Sequence, residues 1–207
     1  MLCRSSHGGT VDAEYQLEDY HFFCPVLALG GLLFCVIFAE EDFLDEIVAL
    51  DAQTLQLRHR FGLGMLNDAR QLAVVGDELY VCDIGNHRLQ VFSLTGEYRR
   101  SVTGEWRSPQ SLCFAKDRLY LIERDPEEEE EEEDGDEDTA EQTNPLQGRR
   151  LLVLSLQGDI LQVVTPPQPT ALFTAICCFD HTLLATYRYD TESTGMRKSE
   201  MLALHGL

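Results

Sequence analysis

A strand–turn–strand pattern recurs along this chain, and its spacing limits the fold more than any other feature. Leu72-Ala-Val-Val-Gly-Asp-Glu-Leu-Tyr-Val-Cys-Asp83 reads as a strand, a tight turn at Gly76-Asp77 and a second strand. Displaced 46 residues toward the N-terminus, Val26 to Ile37 falls beneath it, with Gly30 on Gly76, Leu33 on Leu79 and Phe34 on Tyr80. Displaced 40 residues the other way, Leu112 to Glu123 does the same, with Asp117 on Asp77 and Leu119-Tyr120 on Leu79-Tyr80. At 104 residues, Ile176 to Tyr187 follows, with Leu183 on Leu79. A third strand repeats as Ile47–Thr54, Leu89–Gly96, Leu151–Gly158 and Met201–Gly206. A fourth, more polar strand repeats as Leu55–Phe61, Glu97–Val102 and Asp159–Val164. Gly62 and Gly104 close two of the units. Repeats of this length are one supersecondary unit each, and they bury their faces against their neighbours.

Each unit therefore reads as four short antiparallel strands, the first three apolar and the fourth charged, as in Gln56-Leu-Arg-His-Arg60 and Tyr98-Arg-Arg100. That gradient fits a propeller blade, whose inner strands pack between neighbours while the outer edge strand meets water. The expected fold is all-β: a β-propeller of four-stranded antiparallel blades, with about four blades present and the ring incomplete and open. An N-terminal segment, 1–21, precedes blades at 22–62, 63–104, 105–168 and 169–207. The fourth unit stops after its third strand. The chain as a piece of a longer product, Val11 to Leu17 as a closing outer strand, and completion by oligomerisation all stand as explanations. The repeat also accounts for Phe22 to Ala39, an uncharged run of 18 residues. Its length alone reaches that of a membrane span, but Gly30-Gly31 splits it and acids flank it, so it reads as two strands.

The formal net charge is −20, from 16 Lys+Arg and 36 Asp+Glu. Thirteen of the acids lie between Asp125 and Glu141 with no Lys or Arg among them, in an insert at 125–147 between the second and third strands of the third blade. A run with no apolar face that repels itself is expected to be disordered. Glu127, Glu130, Glu133 and Asp136 represent it as a candidate interaction loop for basic protein segments. A merely solvating insertion and low-affinity calcium capture are the other readings. The charge balance does not favour nucleic acid.

The seven cysteines include no CxxC pair, and most sit in apolar runs, so buried reduced thiols in a cytoplasmic, intracellular protein are expected. No sequon and no signal-peptide pattern occurs.

The second unit resembles the NHL-repeat family of β-propellers, within the wider six-bladed group that includes TolB-like and SMP-30-like propellers. The residues that carry the resemblance are Leu79-Tyr-Val-Cys-Asp83, Gly85-Asn86-His87-Arg88, Leu89-Gln-Val-Phe92 and Gly96. The other units keep spacing and apolar positions but lack Asn-His-Arg: Asp45-Glu46, Gly148-Arg149-Arg150 and Lys198-Ser199-Glu200 stand there. The resemblance implies that Asp83, Gly85, Asn86, His87 and Arg88 are framework residues tying down the connection between strands two and three. It also implies about six blades in a complete ring.

The functional expectation is a non-enzymatic scaffold for protein–protein interaction, with no catalytic residue, no metal, no cofactor, no membrane and no evident small-molecule substrate. A metal-dependent propeller hydrolase or lyase, lactonase-like, is one alternative. Asp83 and Glu123 occupy equivalent strand ends, but Ile37 and Tyr187 interrupt that ring of candidate ligands. The six histidines share no repeated position. An RNA-binding NHL module is the other alternative, resting on Arg58, Arg60, Arg99 and Arg100 on the outer strands.

Overall fold

The computed structural model describes residues 2–5, 11–15, 20–39, 44–124, 148–168, 171–179, 182–190 and 197–204. The acidic insert, with Glu127, Glu130, Glu133 and Asp136, lies outside these residues, as do His181 and His205. The described chain is nearly all strand, and it divides into two compact units, Met1–Ser101 and Val102–Leu207.

The first unit begins with β1 (Leu2–Ser5) and β2 (Val11–Tyr15), which pair antiparallel in a two-stranded sheet of their own. Next come β3 (Tyr20–Leu29), β4 (Leu32–Ala39), β5 (Leu44–Asp51) and β6 (Leu57–Leu66), hydrogen-bonded in chain order. The following sheet holds β7 (Ala69–Val75), β8 (Glu78–Asp83), β9 (Arg88–Ser93) and β10 (Tyr98–Val102). The second unit contains β11 (Pro109–Ala115), β12 (Arg118–Glu123), β13 (Leu151–Leu154) and β14 (Ile160–Val164) in one sheet. Its other sheet has three strands, β15 (Leu172–Phe179), β16 (Thr182–Asp190) and β17 (Arg197–Leu204). These four sheets are β-propeller blades. Among the described residues no helix is long and apolar enough to cross a membrane, and the apolar run 22–39 forms β3 and β4 with a turn between them.

The turns fall where the repeat puts them. Gly30-Gly31 and Lys116-Asp117 all have positive φ, the backbone twist that a two-residue hairpin turn needs. Lys116 (φ 49°) and Asp117 (φ 59°) adopt it without being glycine. Burial follows the expected gradient. From Leu79 to Asp83 in β8, and throughout β13, every residue is buried, while β10 and β14 are mostly exposed. In the first unit Phe34, Ile47, Phe61, Leu72, Leu79 and Phe92 share one core. In the second, Tyr120, Ile122, Leu151, Phe173, Ile176 and Tyr187 do.

Three details differ from the sequence reading. β6 runs past Phe61 to Leu66, because Gly62 and Gly64 take positive φ and bend the strand rather than end it. Val11–Tyr15 pairs with β1. Of the described cysteines, Cys35, Cys82 and Cys113 are buried as expected, but Cys177 and Cys178 are exposed. Their apolar run reads as buried, yet the last three residues of β15, Cys177 to Phe179, are exposed on both faces of the strand.

The turn between the third and fourth strands needs glycine for two separate reasons. Gly96 and Gly158 have φ of 89° and 96°. A Cβ on Gly158 would also lie 2.6 Å from the Thr103 carbonyl oxygen, and one on Gly96 would press into the Phe61 ring. The Gly158 carbonyl accepts a hydrogen bond from Trp106 Nε1 at 3.0 Å, so this turn is locked by a buried indole.

Candidate functional site

Asp83, the last residue of β8, is fully buried. A carboxylate in that position needs its lone pairs filled. The Asn67 N–H donates to Oδ1 at 2.7 Å, Asn86 Nδ2 to both oxygens at 2.9 and 3.0 Å, and Arg88 Nε to Oδ2 at 2.7 Å. Arg88 Nη2 then reaches the Met65 carbonyl at 3.0 Å, which Gln90 Nε2 also approaches at 3.2 Å. Residues 84–86 form a single 3-10 turn, and His87 ends it with φ 51° and its N–H on the Ile84 carbonyl. Gly85 packs against Asn67, where a Cβ would meet the amide nitrogen at 2.5 Å. All five residues of the Asp-x-Gly-Asn-His-Arg stretch therefore converge on the strand connection and on the chain entering β7.

The third blade repeats this arrangement with different letters. Glu123 ends β12 and is buried. Arg150 donates to it twice, Nε to Oε2 at 2.5 Å and Nη2 to Oε1 at 2.9 Å. The Arg107 N–H donates to Oε1 at 3.0 Å, and Arg150 Nη2 also reaches the Glu105 carbonyl at 3.2 Å. Residues 105, 107 and 123 lie 40 positions after 65, 67 and 83, so the acid, the entering amide and the accepting carbonyl are all repeated. Sequence reasoning placed Glu123 beside Asp83 and Arg150 at the position of Arg88, but gave Arg150 no role. The signal was present: the offset of 62 that aligns Leu151 with Leu89 puts Arg150 under Arg88. The absence of Asn-His hid it.

The other two blades carry substitutes at the same register. In the fourth, Tyr187 stands opposite Glu200 and donates its hydroxyl to Oε2 at 2.6 Å, while Tyr189 donates to Oε1 at 2.7 Å. These two hydroxyls hold the Glu200 carboxyl below the usual range. In the first, Ile37 stands opposite Glu46, which pairs with Arg60 at 3.3 Å.

Asp45, beside Glu46, has a different environment. It is buried, and its Oδ2 accepts from the Ala69 N–H at 2.6 Å while Oδ1 has no partner. Burial pushes its carboxyl up to about 6; Asp68 and Asp83 add to the rise, while the Ala69 N–H and Arg70 oppose it. A raised acid pKa means the folded state holds a proton that the unfolded state has released. Stability is therefore greatest at low pH for this group and falls as pH rises between about 4 and 6. Asp45→Asn keeps the acceptor for Ala69. It is expected to raise stability at pH 7.5 by about 2 kcal/mol and to flatten that slope, as read by urea melts across pH 4–8.

The outer-strand arginines are engaged with acids. Arg58 pairs with Asp51 at 2.6 Å, Arg60 with Glu46, Arg99 with Glu97 at 3.7 Å, and Arg100 with Glu78. Arg100 also donates to the Tyr80 hydroxyl at 2.6 Å, and it holds the Glu78 carboxyl below its usual range. Among the described residues no group of three or more His, Cys, Asp or Glu is arranged to hold a metal ion.

The clamp around Asp83 is the point at which the chain meets a known family. The NHL repeat matches residues 66–92. That NHL segment runs from the chain entering β7 to Phe92, and it includes Asp83, Asn86 and Arg88. No curated protein sequence is matched. Solved structures resemble the fold more widely. The computationally designed Ika4 protein aligns with a TM-score of 0.53 at 13% identity, over 91% of this chain and 95% of its own. A protein of unknown function from Bacteroides caccae gives 0.58 at 11% identity, over 87% of this chain and 61% of its own. BamB from Moraxella catarrhalis gives 0.50 at 11%, over 77% and 38%. This chain thus spans less than two thirds of the latter two proteins. At these identities the similarity is one of fold.

Proposed function

We propose that this chain is a non-enzymatic NHL-type propeller scaffold that binds protein partners, with the acidic insert receiving basic segments. The observation that carries the reading is the Glu123–Arg150 clamp. At two of the strand ends where a propeller hydrolase would gather metal ligands, Glu123 and Asp83 each face an arginine and a backbone amide, which supports a framework role for them. In the third blade, the same clamp holds together the two chain ends from which the acidic run departs. A concentrated negative charge on a fixed base suits a lysine- or arginine-rich peptide, through long-range attraction that salt weakens.

The test uses a fluorescent lysine-rich peptide, measured by anisotropy against the full chain and against a form in which 124–149 is replaced by Ile-Gly-Asn-His, the connection of the second blade. Binding is expected to weaken at least tenfold in the shortened form and with added salt. Equal affinity of the two forms would overturn the assignment to the insert.

A further inference from the structure

Two cysteines lie on the first strands of neighbouring sheets in the second unit, Cys113 on β11 and Cys178 on β15. Ser111 Oγ on β11 accepts a hydrogen bond from the Ile176 N–H on β15 at 3.0 Å, which fixes these first strands side by side. Two residues further along each strand lie Cys113 and Cys178. The register runs without a bulge from Ser111 to Ala115 and from Ala175 to Phe179, so strand alternation returns Cys178 to the face of Ile176 and Cys113 to that of Ser111. Their cross-strand partners agree. Leu183 is opposite Cys178 and Tyr120 is opposite Cys113. Leu183, Tyr120, Ile176 and Cys113 belong to one buried cluster. Cys178 is exposed, and strand alternation puts Cys177 on the opposite face. Burial, and then the neighbouring Cys178 and Cys177, push the Cys113 thiol up. The Tyr120 hydroxyl is buried with no hydrogen-bond partner, and burial, then the nearby Cys113, pushes it up.

We propose that Cys178 and Cys113 form a hydroperoxide-sensitive pair that oxidises to a disulfide joining the third and fourth blades. Exposure assigns the roles. Cys178, in water, reacts first: its thiolate attacks the O–O bond, an S–O bond forms, and the O–O bond breaks. The sulfur is oxidised by two electrons and the peroxide is reduced, leaving as water or an alcohol with the thiol proton. Cys113 then attacks the Cys178 sulfur. The S–S bond forms, the S–O bond breaks, and the sulfenic hydroxyl leaves as water with the Cys113 proton. Tyr120 supplies a donor for that departing oxygen.

The experiment treats the reduced full chain with hydrogen peroxide, alkylates the remaining thiols under denaturing conditions and maps the peptides without reduction. Cys113 and Cys178 should vanish together from the alkylated pool and reappear in one cross-linked peptide. The melting temperature should rise by roughly 5–10 °C and return on reduction. Cys177→Ser should leave this behaviour intact and Cys178→Ser, at an exposed position, should abolish it. A thiol at Cys113 that stays alkylatable, or a cross-link that instead joins Cys177 to Cys178 or two chains, would overturn the proposal.

Discussion

Replacing Arg150 with methionine is expected to destabilise the protein by about 3–5 kcal/mol. The magnitude follows from what the substitution leaves behind. Glu123 is 1% exposed and Arg150 7% exposed. Removing the guanidinium leaves a buried carboxylate whose remaining donor is the Arg107 amide, and it frees the Glu105 carbonyl. Neutralising both partners separates the worth of the pair from the penalty of a stranded charge. Glu123→Gln with Arg150→Met keeps an acceptor for Arg107 and should recover more than half of the loss. Arg88→Met in the second blade should cost about half as much, since Asp83 keeps Asn86 and the Asn67 amide and Arg88 is partly exposed. Urea denaturation midpoints of the three variants check the series; a cost for Arg150→Met below that of Arg88→Met would contradict it.

Gly158→Ala is expected to cost about 4 kcal/mol. Part is the left-handed backbone, which a Cβ disfavours anywhere. The rest is the 2.6 Å approach to the Thr103 carbonyl, a rigid backbone atom that cannot turn aside. Gly30→Ala isolates the first contribution. Its φ is also positive but nothing lies within 4 Å of the added methyl, so its cost should stay near 1 kcal/mol. Thermal melts of the two variants measure the difference, and equal costs would show that the packing around Thr103 yields.

Much of the fold was legible because strand, turn and strand recur with small offsets. The offsets that align Leu79 with Leu33 and Leu119 also align the hairpin turns of the first three blades. Asp83, Asn86 and Arg88 were legible as a framework because all three chemistries sit within six residues. Arg150 was not, since 26 residues separate it from its acid and the Asn-His signature is gone. The carbonyls of Met65 and Glu105 and the amides of Asn67 and Arg107 have no letter of their own: backbone groups are recruited by geometry that any side chain permits. Asp45 was legible only as a departure from the motif for a related reason, because its partner is the Ala69 amide. The exposure of Cys177 and Cys178 depends on what covers the end of β15 on both of its faces, and an apolar run does not announce that.

The clamp of the third blade has a thermodynamic side. The ion pair of the second blade closes residues five apart, and that of the third closes residues 27 apart. By simple chain statistics the longer closure costs only about 1.5 kcal/mol more. Doubling the insert again would add about 0.6 kcal/mol. Once Glu123 and Arg150 are in place, the blade is nearly indifferent to the length of what lies between them. That segment can drift in length and composition at little expense to folding, whereas the two residues at its base cannot change singly.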